Sequence, residues 1–158
     1  MAVDPVPPNL TGVTPSLVQS DCAAAIDWYI EVFGATEVVP RMTGPDGKVG
    51  HAELEICGAV VMMGDETLDS PTSSPTSLGG TTTAMFVYAA GAPEIWERAV
   101  EGGAEVLHPY ELQFYGDEGG RIRDPFGHQW GIGRHVEDVS EEEMERRMQA
   151  FYEEEGGS

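Results

Sequence analysis

Cysteine and long apolar runs are scarce in this chain of 158 residues, and each shortage excludes a class of protein. The two cysteines, Cys22 and Cys57, are too few for a disulfide scaffold or a cysteine-rich zinc site, so the expected location is the reducing cytoplasm. No apolar run approaches the roughly 20 residues of a membrane span. The first ten residues also lack the basic start and apolar stretch of a secretory signal.

Positive charge is the other shortage. Eight Lys and Arg side chains stand against 28 Asp and Glu, which gives a formal net charge of −20. Such a chain repels nucleic-acid phosphates and anionic membrane surfaces, so we expect neither as a partner. The hydrophobic content of 41% is enough for a packed core. The chain has no G-x-S-x-G elbow, no phosphate-binding P-loop and no dinucleotide fingerprint.

The sequence repeats itself at a shift of 69 residues. Eleven positions between 14 and 64 then meet identical residues, and most of these pairs are glycine, alanine or proline, which set turns and close packing. Each copy predicts the order β-α-β-β-β. The first has a strand over 13–19, a helix over 22–33 that Asp21 caps and Gly34 ends, and strands near 36–43, 48–56 and 59–64.

The second copy and the tail follow the same pattern. A strand over 82–88 precedes a helix that Pro93 opens and Gly102 closes, and strands follow near 104–112, 119–123 and 128–133. Residues 66–80 are rich in Ser, Thr, Pro and Gly and predict a linker. Ser140 is the expected cap of an acidic terminal helix over 140–155.

Three segments resemble one known family. Residues 25–35 (AIDWYIEVFGA), 120–130 (GRIRDPFGHQW) and the ending 135–140 (HVEDVS) followed by 144–147 (MERR) are similar to the vicinal oxygen chelate superfamily, and to its PhnB-like branch. This superfamily contains glyoxalase I, the bleomycin-resistance proteins and the extradiol dioxygenases. The resemblance implies an α+β fold in which two tandem β-α-β-β-β modules form a cupped mixed sheet, followed by an acidic C-terminal helix. The implied boundaries are one domain over 11–136, with module one at 11–65, the linker at 66–80 and module two at 81–134, and an acidic helix and tail at 137–158.

The resemblance also locates the metal ligands of the superfamily's enzymes. They correspond here to Thr14, Met62, Thr82 (or Thr83) and Gly131. A hydroxyl is a weak donor, a thioether is soft and glycine has no side chain, so these residues do not suit a catalytic divalent ion. We therefore expect no metal site of the usual kind and no cofactor, with a divalent metal on other ligands as the open alternative.

One such alternative lies in the strand near 48–56. Its apolar residues should face the helix, and His51 and Glu53 then lie two apart on the other face, toward the cup or solvent. This spacing suits a base–carboxylate pair or part of a metal site, so both residues are catalytic candidates. A role at the cup rim or surface is the simpler interpretation.

Alternate residues of a strand share a face, so residues on the same face as the positions that correspond to the superfamily's metal ligands should line the cup. The expected ligand-binding residues are mostly apolar or aromatic, as in most small-molecule pockets: Thr14, Ser16, Val60, Met62, Phe114, Tyr115, Gln129 and Gly131. Gly131 and Gly133 should enlarge the cup, and Trp130 should pack beneath the helices.

The loop and turn near the second hairpin carry several charged residues. Glu118 stands where the PhnB-like branch commonly has an arginine, which argues against an anion site there. We expect Arg121 and Arg123 to pair with nearby acids. His108 and His128 should be structural, and His135 exposed.

These features predict a small-molecule-binding protein of the glyoxalase/bleomycin-resistance type that sequesters a hydrophobic or cationic compound. The charge of −20 suits a cationic guest, and solubility explains it equally well. Two enzyme hypotheses stay open: a metal-dependent lyase, isomerase or dioxygenase with a non-standard ligand set, or a metal-free acid/base enzyme using His51. The resemblance also implies a homodimer.

Overall fold

The computed structural model describes residues 4–10 and 12–156. Residue 11, where module one is predicted to begin, and residues 157–158 of the predicted tail lie outside the described residues. No helix in the described part of the chain is long and apolar enough to cross a membrane. The elements are β1 (Ser16–Gln19), α1 (Cys22–Phe33), β2 (Thr36–Thr43), β3 (Val49–Ile56), β4 (Ala59–Asp65), α2 (Pro75–Leu78), β5 (Ala84–Tyr88), α3 (Ala92–Glu101), β6 (Glu105–Leu112), β7 (Asp117–Arg123), β8 (Gln129–His135) and α4 (Glu141–Gly156).

The chain divides into two compact units. The first comprises the described residues up to Thr83 together with Asp124–His128, and the second comprises Ala84–Arg123 with the described residues from Gln129 onward. The first sheet has the order β1-β4-β3-β2 and the second the order β5-β8-β7-β6. In each, the first strand is parallel to the fourth and the other neighbours are antiparallel. The predicted repeat of two β-α-β-β-β modules is therefore confirmed.

Helix α1 forms the core of the first unit. The Asp21 carboxylate accepts a hydrogen bond from the Ala24 amide, and Gly34 ends the helix with a left-handed φ of 68°, both as the sequence predicts. The helix packs on β1, β3 and β4. Its buried face meets the apolar side of β3, where Ala52, Leu54 and Ile56 are almost fully buried. The predicted orientation of β3 is confirmed, with His51 and Glu53 on the opposite side.

Helix α3 has the same place in the second unit and packs on β6, β7 and β8. It covers Ile122, Trp130 and Ile132, all almost fully buried, so Trp130 lies on the helix side of its sheet as expected. Helix α4 contacts the same unit through ring packing of Phe151 on Phe114, whose centroids are 5.0 Å apart. The Ser140 hydroxyl caps α4 by accepting from the Glu143 amide.

The first strand of each module is shorter than predicted, since β1 begins at Ser16 and β5 at Ala84, and two further features were missed. The segment predicted as a linker contains the short helix α2, which Ser74 caps by accepting from the Ser77 amide. β7 begins at Asp117, two residues before the predicted start, because Asp117 and Glu118 continue the ladder with β8. Helix α2 is a single turn, too short to show a hydrophobic period. The start of β7 depends on its pairing with β8, which the periodicity of β7 does not report.

Candidate functional site

The open face of the second sheet, opposite α3, carries a row of aromatic side chains beside glycines. Side chains alternate between the faces of a strand, so Phe86 and Tyr88 of β5 share this face while Val87 is buried beneath it. Phe86 lies opposite Gly131 of β8, and Tyr88 lies opposite Gly133. Both rings are more than half exposed, at 59% and 58%. Exposed rings above side-chain-free backbone make a concave apolar surface.

The glycines form the floor of this surface. A Cβ at Gly119 would lie 2.7 Å from the Ile132 carbonyl oxygen, and one at Gly133 would lie 2.9 Å from that of Glu118, so backbone approaches too closely for side chains. Above the floor is an open hollow of about 170 Å³. We call it the unit 2 hollow; its lining consists of Phe86, Tyr88, His108, Gln113, Tyr115, Asp117, Glu118, Gly119, Gly120, Arg121, Ile132 and Gly133.

Gly131 does not enlarge the hollow as the sequence suggested. A Cβ there would collide with the Phe86 ring, which occupies the space that the missing side chain leaves. The absence of a side chain at Gly131 therefore makes room for the Phe86 ring, which forms one wall of the hollow. Gly133, in contrast, belongs to the lining of the hollow.

A chain of hydrogen bonds leads from the hollow to solvent. The Tyr88 hydroxyl donates to Asp117 Oδ2 at 2.8 Å. Asp117 Oδ1 lies 2.7 Å from His135 Nδ1, and His135 Nε2 lies 2.9 Å from Asp138. The hydrogen bond to Asp117 raises the pKa of the Tyr88 phenol, because the carboxylate stabilises the protonated form. The same carboxylate, with Asp138, raises the pKa of His135, which is exposed as expected.

Glu118 is held on the other side of its strand. Its Oε1 accepts from Arg134 Nε, and from the Tyr110 hydroxyl at 3.2 Å. Burial and this hydrogen bond raise the pKa of Tyr110 to about 12. Both acids that line the hollow are therefore engaged by donors within the protein.

Arg121 departs from the expected salt bridge. Arg123 pairs with Glu105 as predicted. The Arg121 guanidinium instead lies over the Phe86 ring, 5.2 Å from its centroid, and no carboxylate among residues 4–10 and 12–153 forms an ion pair with it. The expectation for Arg121 was wrong because register places it opposite Gly131, beside the ring that covers that glycine.

The catalytic candidates lie on the open face of the first sheet. His51 Nε2 is 3.1 Å from Glu53 Oε1, so the base–carboxylate pair suggested by their spacing is formed. The Asn9 amide also donates to Glu53, at 3.3 Å. The His51 side chain is 38% exposed and Glu53 13%. Glu53 lies opposite Met62 in the ladder, and Met62 lies opposite Ser16.

The predicted lining residues divide between the two units. In the first, Thr14, Val60 and Met62 are half-buried and Ser16 is exposed. In the second, Tyr115 lines the unit 2 hollow, Gly131 lies beneath Phe86, Gln129 is half-buried, and Phe114 packs on Phe151. Their role in binding stays a prediction. Sequence reasoning missed Phe86, Tyr88 and Asp117. Phe86 and Tyr88 are an even number of positions after Thr82, so the alternation of side chains along the strand could have identified these two.

The remaining histidines have different surroundings. His128 is buried, and its Nε2 lies 3.0 Å from the Val18 carbonyl oxygen, which is the structural role expected of it. His108 lines the unit 2 hollow. It lies opposite Arg121 in the ladder of β6 and β7.

The positions that correspond to the superfamily's metal ligands carry residues that are poor ligands for a divalent metal ion. These residues are Thr14, Met62, Thr82 (or Thr83) and Gly131, whose atoms do not suit a catalytic divalent ion. Within the described ranges, no group of three or more His, Cys, Asp and Glu side chains is placed to hold a metal. The residues present therefore do not fit the superfamily's metal centre.

Comparison with known proteins agrees with this architecture. Residues 13–132 match the family described as the Glyoxalase/Bleomycin resistance protein/Dioxygenase superfamily. The uncharacterized protein Mb0911c of Mycobacterium bovis is 39% identical over 139 residues, covering 86% of this chain and 91% of that protein. The crystal structure of TioX from Micromonospora sp. ML1 superposes with a TM-score of 0.62 at 25% identity, over 82% of this chain and 100% of TioX.

A PhnB protein of Bacillus cereus, described as a putative 3-demethylubiquinone-9 3-methyltransferase, shares the fold. Its TM-score is 0.57 at 17% identity, over 80% of this chain and all of that one. The resemblance seen in residues 25–35 and 120–130 is thus confirmed across most of the sequence. The chain belongs to the Glyoxalase/Bleomycin resistance protein/Dioxygenase superfamily.

Proposed function

We propose that the protein binds a small, flat, hydrophobic molecule in the unit 2 hollow, as a binding protein of the glyoxalase/bleomycin-resistance type without the usual metal site. The observation that supports this most strongly is the pair of exposed rings, Phe86 and Tyr88, above a glycine floor. Exposed aromatic walls lose water when a flat guest covers them, and each Å² of apolar surface removed from water contributes about 25 cal/mol.

The size of the hollow limits the guest. A cavity of about 150 Å³ holds benzene, and the unit 2 hollow is about 170 Å³ and open to solvent. One ring fits inside it and a second can extend beyond the rim. The cationic guest suggested by the net charge is less favoured here, because Arg121 lines the hollow without an ion pair to any described side chain, whereas the lining acids Asp117 and Glu118 already accept hydrogen bonds from Tyr88 and Arg134.

A neutral aromatic probe tests the proposal. We expect N-phenyl-1-naphthylamine to bind the wild-type protein with increased fluorescence, and Phe86→Ala to weaken binding about tenfold, because loss of one stacked ring costs roughly 1–3 kcal/mol. The matched control is Tyr152→Ala, an exposed aromatic on α4 outside the lining of the hollow, which should bind as the wild type does. Equal affinity of Phe86→Ala and the wild type would contradict the proposal. Native mass spectrometry of the same samples also reports any co-purified guest and the subunit count.

A second candidate function rests on the hydrogen bond between His51 and Glu53. A carboxylate that orients an imidazole is the usual arrangement of a general base, so a metal-free acid/base enzyme is the alternative. It requires turnover with a bell-shaped pH profile that chelators leave unchanged and that His51→Gln abolishes. A metal-dependent lyase, isomerase or dioxygenase would need ligands that the described residues do not group together.

A further inference from the structure

Most arginines in the described part of the chain form ion pairs with acids. Arg41, Arg123, Arg134, Arg146 and Arg147 each pair with at least one carboxylate. With 28 acidic residues available, an arginine finds such a partner easily. Arg121 differs from these five: its guanidinium lies over the Phe86 ring, and it has no ion pair with any described side chain in residues 4–10 and 12–153.

The two acids that line the hollow together with Arg121 already have hydrogen-bond partners. Both carboxylate oxygens of Asp117 have partners, Tyr88 on one and His135 on the other. Glu118 pairs with Arg134. Arg121 therefore lines the hollow without an acidic partner among the described side chains, while both oxygens of Asp117 and Oε1 of Glu118 are engaged in hydrogen bonds with other groups.

The position of Arg121 suits a planar anion. Its guanidinium lies 5.2 Å from the centroid of the Phe86 ring, beside the hollow, and carries its N–H donors in one plane. Two parallel N–H groups match the two oxygens of a carboxylate. His108, the register partner of Arg121, lines the same hollow and offers a further ring nitrogen.

From these contacts we propose that the natural guest of the unit 2 hollow is an aromatic carboxylate, whose ring lies against Phe86 and Tyr88 and whose carboxylate is bound by Arg121. This inference rests on the proposed function and adds the chemical class of the ligand. The bound carboxylate gives Arg121 the acidic partner that those five arginines find within the described chain. A neutral or cationic guest would not supply that partner.

A pair of probes that differ only in charge tests this. The affinities of 1-naphthoate and 1-naphthamide for the full-length protein are measured by calorimetry or by fluorescence. We expect naphthoate to bind the wild type at least tenfold more tightly than naphthamide. In Arg121→Gln the ratio of the two affinities should fall to about one, whatever the affinity of each probe by itself, and Arg121→Lys should keep only part of the preference, because an ammonium lacks the two-pronged geometry.

The matched control is Arg123→Gln, which removes a neighbouring arginine on the same strand, already paired with Glu105, and should keep the full preference. Naphthoate binding no better than naphthamide, or Arg121→Gln keeping the preference, would overturn the inference while leaving aromatic binding at Phe86 intact. Failure of both probes to bind, or binding that Phe86→Ala does not weaken, would overturn the proposed function and this inference together. Thermal unfolding of each variant identifies any loss of fold, and Arg121→Lys then supplies the comparison.

Discussion

The phenolic hydroxyl of Tyr29 donates a hydrogen bond of 2.6 Å to Asp124, 95 positions further along the chain. Both side chains are buried. Asp124 also accepts from the amides of Phe126 and His128 through its other oxygen, so the turn at 124–128 is fixed to helix α1. This explains why five residues from the second half of the sequence belong to the first unit.

Removing this hydroxyl tests its importance for stability. Tyr29→Phe deletes the donor to Asp124 and the acceptor of Gln19 Nε2, and Gln19 Oε1 already has no partner among the described residues. We expect the free energy of unfolding to fall by about 1–3 kcal/mol, the usual cost of leaving a buried polar group unsatisfied. Urea unfolding measures it. Tyr152→Phe, at an exposed position, is the control and should unfold as the wild type does; an unchanged midpoint in Tyr29→Phe would show that the hydrogen bond is dispensable.

Gly131→Ala should displace the Phe86 ring. The added Cβ would occupy the position of the ring, so the ring must move, and Gly131 itself is buried beneath it. We expect weaker binding of the neutral naphthylamine probe and a loss of about 1–3 kcal/mol in the free energy of unfolding, the usual cost of overpacking a buried site. Gly50→Ala on β3 is the matched control, since its nearest neighbour would be 3.8 Å away. Unchanged probe affinity in Gly131→Ala would mean that Phe86 does not wall the binding site.

The ion pairs of α4 should weaken in acid. Glu143 accepts hydrogen bonds from Arg146 and Arg147, which lower its pKa from 4.5 to about 2. Because the folded pKa is depressed, the stabilisation is present above pH 4.5 and is lost as the pH falls toward 2. The carboxyl carbon shift of Glu143, followed by NMR, should titrate near the low end of this range.

The control for that titration removes the arginine that contributes most to the lowered pKa of Glu143. Arg146→Gln should move the midpoint of Glu143 upward, because Arg146 makes the largest contribution to the lowered pKa. Arg123→Gln, far along the sequence and paired with Glu105, should not move it. A wild-type midpoint close to 4.5 would show that these exposed pairs are not formed in solution.

The two thiols should react at different rates. Cys22 is fully buried at the start of α1, and burial together with nearby Asp65 raises its pKa to about 12. Cys57 is exposed in the turn between β3 and β4. We expect Ellman's reagent to modify one thiol per chain under native conditions and the second only in urea. Cys57→Ser should abolish the native reaction and Cys22→Ser should keep it, whereas equal rates for both thiols would contradict this assignment.

The sequence by itself determined the local structure and the repeated fold. Asp21 and Gly34 mark the ends of α1 because capping depends on residues within one turn of the helix end. The alternation in β3 identified the buried face for the same reason, since strand periodicity is a local property. The spacing of His51 and Glu53 placed both side chains on one face, because residues two apart on a strand share a face, and a base–carboxylate pair was one of the alternatives it left open.

Only the tertiary structure decided how the unit 2 hollow is built. Phe86 lies on β5, far in sequence from Arg121 on β7 and Gly131 on β8, and the register of β5, β8 and β7 brings the three residues into one row. The same register, not composition, places an aromatic ring against Arg121 and places Asp117 between Tyr88 and His135. Which charged side chain finds a partner depends on distances across the sheet, and residues far apart in sequence acquire those distances only on folding.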